Sequence, residues 1–156
     1  IYMGFKVVPK EEFTSYVGTT LEPGEWFEIG QERINEFAEC TEDRQFIHID
    51  EERAKDTPFG GTIAHGFLTL SMLSHIATQN GISPEGVVMG INYGFDKVRF
   101  LAPVRAGKRV RANVDILDIT EKDGGRYLIK QGITVEIEGE ETPALVAEWL
   151  SMVATA

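Results

Sequence analysis

Apolar residues recur along this chain at two spacings, and the change from one to the other divides it. From Gln31 the spacing is helical. Ile34, Phe37 and Ala38 fall at i, i+3 and i+4 with charged residues between them, which predicts a helix ending near Cys40, where polar Thr41 to Gln45 loses the period. Glu51 to Lys55 predicts one more short helical turn, and Pro58 through Gly61 is a breaker cluster. The strongest helix is expected over about His65 to Gln79. Phe67, Leu68, Leu70, Met72, Leu73, Ile76 and Ala77 cover nearly its whole circumference, the pattern of a helix buried on almost every side. Asn80-Gly81 is its C-terminal stop.

Beyond that point the period becomes two. Val87 to Ile91 and Tyr93 to Phe100 are β-rich, and Val110, Ala112, Val114 and Ile116 alternate with Arg111, Asn113 and Asp115. Asp123-Gly124-Gly125 turns the chain into Tyr127, Ile129, Gln131, Ile133, Val135 and Ile137, again alternating, and a turn at Gly139 precedes a last strand, Ala144 to Val153. Long meandering strands predict an antiparallel sheet, and an apolar helix needs something to wrap it. The expected fold is α+β, a curved sheet around the central helix. Strand order does not follow from the pattern.

Composition narrows the function classes. At 156 residues, with 42% hydrophobic and 26% charged residues, the chain reads as one soluble globular domain spanning 1–156. A net charge of −10 argues against nucleic acid as a partner. A single cysteine excludes an internal disulfide and suits the cytoplasm, and no apolar run reaches a membrane span. Met3-Gly4-Phe5-Lys6 reads as the natural start, with Ile1-Tyr2 foreign to it.

The chemistry-bearing segment runs from Cys40 to Asp50. Asp43 and His48 could hold one water between a proton acceptor and a tunable donor, and partial burial would move both pKa values toward neutrality. The plainer alternative is a loop aspartate in an Asx-turn and a histidine satisfied by backbone. A metal set of His48, Asp50, Asp43 and His65, the first two sharing a strand face, matches no recognised ligand spacing, and Cys40 more resembles a small hydrophobe than a nucleophile. Gly60, Gly61 and Gly66 lead into the first turn of the apolar helix, where backbone N–H groups lack intrahelical acceptors and suit an oxygen that becomes negative; they equally permit a tight turn. His65 reads as a neutral structural ring. Lys97, Arg99, Arg105, Lys108, Arg109 and Arg111 lie in a stretch without acids, either a rim for the phosphates of a nucleotide-like carrier or a solvated sheet edge.

These blocks together resemble the MaoC-like (R)-specific enoyl-CoA hydratase family, especially its NodN-like branch. Thr41-Glu42-Asp43-Arg44-Gln45-Phe46-Ile47-His48, with Ala54 at the expected interval, is similar to the family's hydratase motif. Pro58 through Ser71 resembles the start of its central helix, and Asn92 through Phe100 with Ala102-Pro103-Val104 resembles two following strands. The similarity extends over about Trp26 to Val153. Glu42 stands where the motif has Gly, Gln45 where it has Asn and Phe46 where it has Pro; the Gln-aromatic pair is itself similar to the NodN-like branch. An inward-pointing Glu42 would raise the Asp43 pKa.

The resemblance implies a hot-dog fold in a homodimer and reversible syn hydration of trans-2-enoyl thioesters of coenzyme A or an acyl carrier. It needs no cofactor and no metal. Carried over, Asp43 and His48 handle the water, the Gly66 amide polarises the thioester carbonyl, and Ser74 and Gln45 shape the substrate site. Lys97, Arg99 and Arg105 become candidate contacts for the phosphates of coenzyme A. A hot-dog thioesterase and a non-catalytic acyl-thioester binding protein are the rival expectations.

Overall fold

In a computed structural model that describes residues 5–156, the chain opens with β1 (Lys6–Val8), helical turn α1 (Lys10–Phe13), a 3-10 turn (Thr14–Tyr16) and β2 (Phe27–Glu28). Helix α2 (Gln31–Thr41), turns α3 (Phe46–Ile49) and α4 (Glu51–Ala54), and helices α5 (Gly66–Ser71) and α6 (Leu73–Ile76) follow. The strands β3 (Ile82–Pro84), β4 (Val87–Phe100), β5 (Arg109–Lys122), β6 (Arg126–Ile137) and β7 (Leu145–Thr155) complete it. The expectation about Met3 lies outside the described residues.

Alternation builds the main sheet, whose antiparallel order is β2-β5-β6-β7-β4. On β5, Val110, Ala112, Val114 and Ile116 are buried while Asp115 faces out. A register shift between Ile116 and Asp118 then inserts Leu117, so the buried face passes from even to odd positions and Ile119 points inward. Tyr127, Ile129, Ile133, Val135 and Ile137 of β6 and Leu145, Ala147 and Trp149 of β7 extend the same face. β1 pairs parallel with β3 as a separate ribbon, and Phe13 packs edge-on against Tyr127 at 5.3 Å.

The central helix differs from its expected form in two ways. It is two short helices with a break at Met72 (φ −68°, ψ −11°), although bonds from Met72 N to Leu68 O and from Ile76 N to Met72 O carry the helical path across. Nor is it buried all round. Leu68, Thr69, Leu73, Ile76 and Ala77 face the sheet, while Phe67, Ser71, Ser74 and His75 are exposed. One curled sheet covers only one side of a helix, so the other side stays open beside β4, where Phe67 meets Phe100 edge-on at 5.9 Å. The result is the hot-dog arrangement, a curved antiparallel sheet on a central helix.

β4 is the edge strand beside this opening. None of its residues is buried, and Val88, Met89, Ile91, Tyr93 and Phe95 present large apolar side chains. Its two β-rich stretches form one strand, bulged between Asn92 and Gly94 and between Phe95 and Lys97.

Candidate active site

His48 sits on the helical turn α3, not on the strand face expected for it together with Asp50. Asp50 instead caps α4, its Oδ1 accepting from Arg53 N at 3.1 Å. The His48 ring is 7% exposed, and its Nδ1 lies 2.7 Å from Ile63 O, which makes Nδ1 the protonated nitrogen and leaves a lone pair on Nε2. Burial is the largest influence on this ring and pushes its pKa below the ordinary histidine value; His65 adds to it, while the Ile63 bond and the Asp43 charge oppose it.

The turn is clamped by neighbours that the sequence pattern did not single out. Ile63 N donates to Ile47 O at 3.0 Å, and Gln31 Nε2, at the start of α2, donates to His48 O at 2.7 Å. The Thr62 hydroxyl, in a residue only 1% exposed, lies 2.5 Å from Gln31 Oε1 and 2.7 Å from Glu51 Oε2, two acceptors for one proton. Bonds from the Thr62 hydroxyl and N–H hold the Glu51 carboxyl below its ordinary pKa, with Arg105 adding to them. Gln31, Glu51 and Thr62 are scattered in sequence and belong to no spacing motif, so only folding reveals that they meet.

This clamp explains the glycines. A Cβ on Gly61 would lie 2.3 Å from Arg105 Nη2 and 2.9 Å from Glu51 Oε1, so a side chain there has no room. Arg105 Nη1 donates to Phe59 O at 2.7 Å, and its buried Nε has no partner among the described residues. The guanidinium is therefore turned into the glycine loop. Gly66 is hemmed in as well, with the Phe100 ring 3.0 Å from the position of its missing Cβ.

Asp43, His48 and His65 converge, each offering a side-chain oxygen or nitrogen within 4.8 Å of the others. One water spans such a gap with two hydrogen bonds of about 2.8 Å each. Asp43 Oδ1 also accepts from Gln45 N at 3.4 Å, so the Asx-turn exists and aims the carboxylate. His65 Nε2 donates to Asp43 O at 2.9 Å, and its ring stacks on His48 at 3.8 Å and 23°. Its buried Nδ1 has no partner among the described residues. Of the four residues considered for a metal, Asp50 is elsewhere. Because the two rings are stacked, a cation in the plane of one would lie well out of the plane of the other.

Glu42 does not point inward. It caps α2 in the left-handed region (φ 65°), a conformation that favours glycine, and its carboxylate pairs with Arg44 at 2.5 Å. Arg44 is exposed and also bonds Glu39 at 2.7 Å. Gln45 is exposed too and closes α3 through its carbonyl, which accepts from His48 N at 3.0 Å.

His48, Gly66, Phe67, Thr69 and Phe100 line a cavity of about 390 Å³. The Gly66 N–H opens α5 and has no acceptor among the described residues. Ser74 is not brought to this cavity; it lies two turns further along the helix and lines others. The basic stretch divides. Arg111 pairs with Glu136 at 2.6 Å, Lys108 with Glu140 at 3.7 Å, and Arg109 with Glu138, a ladder across the start of β5 and the end of β6 that continues into the residues just beyond them. Lys97 and Arg99 on β4 carry no ion pair among the described residues.

The model of the MaoC like domain family matches residues 12–139. Nodulation protein N of Rhizobium meliloti (strain 1021) is 44% identical over 142 residues, 90% of this chain and 88% of that protein. The 3-hydroxyacyl-thioester dehydratase Z of Mycobacterium tuberculosis (strain ATCC 25618 / H37Rv) is 43% identical over 137 residues, 88% of this chain and 90% of the other. The solved structure of the (R)-hydratase from A. caviae involved in PHA biosynthesis superposes with a TM-score of 0.69 at 25% identity, covering 86% of this chain and 94% of that one. Matched by the family model over most of its length and by relatives of 44% and 43% identity, the chain belongs to the MaoC-like domain family.

Proposed function

We propose that the protein is an (R)-specific enoyl-CoA hydratase, and in reverse a (3R)-hydroxyacyl-thioester dehydratase. The observation that carries this reading is the convergence of the Asp43 and His48 polar atoms within 4.8 Å, in a fold where Gly66 lines the same cavity as His48. Asp43 and His48 hold one water. The Gly66 N–H bonds the thioester oxygen, which makes C3 electrophilic and stabilises the enolate charge that develops on that oxygen. The water oxygen bonds to C3 and a proton is delivered to C2; because both groups flank one water, addition is syn. The pair acts together, and proton delivery to C2 is assigned to neither residue alone.

Around this centre, Gln45 and Ser74 contact the substrate, and Lys97 and Arg99 bind the phosphates of coenzyme A or an acyl carrier. Arg105, placed in the glycine loop, would reach such a phosphate only by leaving Phe59 O. A second copy seated along the open edge of β4 would cover its apolar side chains and the exposed helix face, giving a homodimer. No helix among the described residues is long and apolar enough to cross a membrane, and the cytoplasm is the proposed location.

Crotonyl-CoA and purified protein test the reading. Loss of the enoyl absorbance without release of thiol is expected. Free coenzyme A would instead make the protein a thioesterase. Retained binding with neither change would make it an accessory binding protein.

A further inference from the structure

Three cavities lie in line along the central helix, between it and β4. Gly66 lines the first, Leu70 the second, Ser74 the second and third, and Ala77 and Thr78 the third. Gly66, Leu70 and Ser74 succeed one another every four residues along the helical path, and Thr78 follows just past its end, so the series winds slowly along the helix over roughly 18 Å. The third cavity, about 470 Å³, shares Ser74, Asn92 and Trp149 with the second. Its other walls include Phe13, Ile116, Ile119 and Ile129, a lining suited to an alkyl chain.

The lining also carries a polar belt. Asn92 lies opposite Ser151 in the sheet, Ser151 opposite Ile129, and Gln131 opposite Trp149, which puts the polar residues on neighbouring rungs of one face. The side chains of Ser74, Asn92, Gln131 and Ser151 make no hydrogen bond to any described residue, and none of the described residues that line this cavity is charged. Two amides and two hydroxyls supply donors and acceptors without net charge.

We propose that this cavity seats the acyl tail of the thioester and selects tails bearing an uncharged oxygen substituent, a hydroxyl or oxo group, over plain alkyl tails. The proposal rests on the hydratase reading for the thioester head. A plain tail would strip water from four polar side chains and leave them unpaired, whereas a hydroxyl both gives and takes a hydrogen bond. A carboxylate-ended tail would meet no cation among the described residues of the lining.

The test is calorimetric titration of the Asp43→Asn protein with saturated acyl-CoA thioesters of one chain length. The set holds plain dodecanoyl-CoA, isomers hydroxylated at successive positions of the distal half, and the terminal diacid. At least one hydroxy isomer is expected to bind roughly ten-fold more tightly than the plain chain, with the diacid weakest. Asn92→Leu and Gln131→Leu should each abolish that preference without weakening the plain chain, and the milder Ser151→Ala should reduce it. Equal affinity for plain and hydroxy tails, a preference untouched by these variants, or no binding of any acyl-CoA overturns the proposal. The head and tail readings fail separately. Hydration of crotonyl-CoA by the wild type with no tail preference removes only the tail site, and a tail preference in a protein that hydrates nothing removes only the hydratase.

Discussion

At the scale of single residues, the strongest departure from the family motif is also the one with a physical cost. Glu42 holds φ 65° without being glycine, and a side chain in that region is strained by about 1 kcal/mol. Its ion pair with Arg44 is solvent-exposed and returns little. Glu42→Gly should therefore raise the melting temperature by roughly 2–4 °C; a lower value in thermal denaturation would mean that the Arg44 pair outweighs the strain. His48 supplies a pH-dependent term. Its folded pKa is lowered, so its contribution to stability is complete above the unfolded value of about 6.5 and is lost as pH falls through the folded value. An NMR titration should place the ring's midpoint below that of an unfolded histidine and move it upward in His65→Gln, which removes a neighbour opposing the charge. Asp43 and His48 are legible in sequence as a pair, but their spacing alone favours an Asx-turn and a backbone-bonded ring over a catalytic pair. Both of those bonds exist, and they orient the two groups toward each other.

At the scale of elements, periodicity located most of the framework and local geometry supplied the rest. The helix over Gln31–Thr41 and the alternating strands were readable because one face of each is buried. The register shift at Leu117 was not, since a single inserted residue leaves composition unchanged while exchanging the faces. Counting apolar residues on the central helix also overstated its burial, because Phe67 is apolar and yet 68% exposed on the open side. The glycine loop allows a sharper test. Gly61→Ala would force a Cβ against the Arg105 guanidinium and should cost about 1–3 kcal/mol. In a double-mutant cycle by chemical denaturation, Arg105→Ala should absorb much of that cost. Additive losses would show that the two side chains do not compete for the same space.

At the scale of the whole molecule, β4 carries two expectations. Its open edge and exposed apolar residues call for a second copy, so the protein should sediment as a dimer and Tyr93→Asp should shift it toward monomer; a wild-type monomer at micromolar concentration would refute the pairing. Lys97 and Arg99, unlike Lys108, Arg109 and Arg111, carry no ion pair among the described residues and are the proposed phosphate contacts. Arg99→Gln should raise KM, leave kcat nearly unchanged and weaken the salt dependence of KM, whereas Arg105→Gln should act first on thermal stability. The folded chain separates these arginines, which the sequence presented as one basic stretch. Hydration as proposed depends on the Asp43–His48 pair. The most direct measurement is turnover of crotonyl-CoA by wild type, Asp43→Asn and His48→Gln, with folding checked by circular dichroism. The account predicts syn hydration by the wild type and a loss of at least about 100-fold in kcat for each variant at unchanged fold; near wild-type turnover in either variant would contradict it.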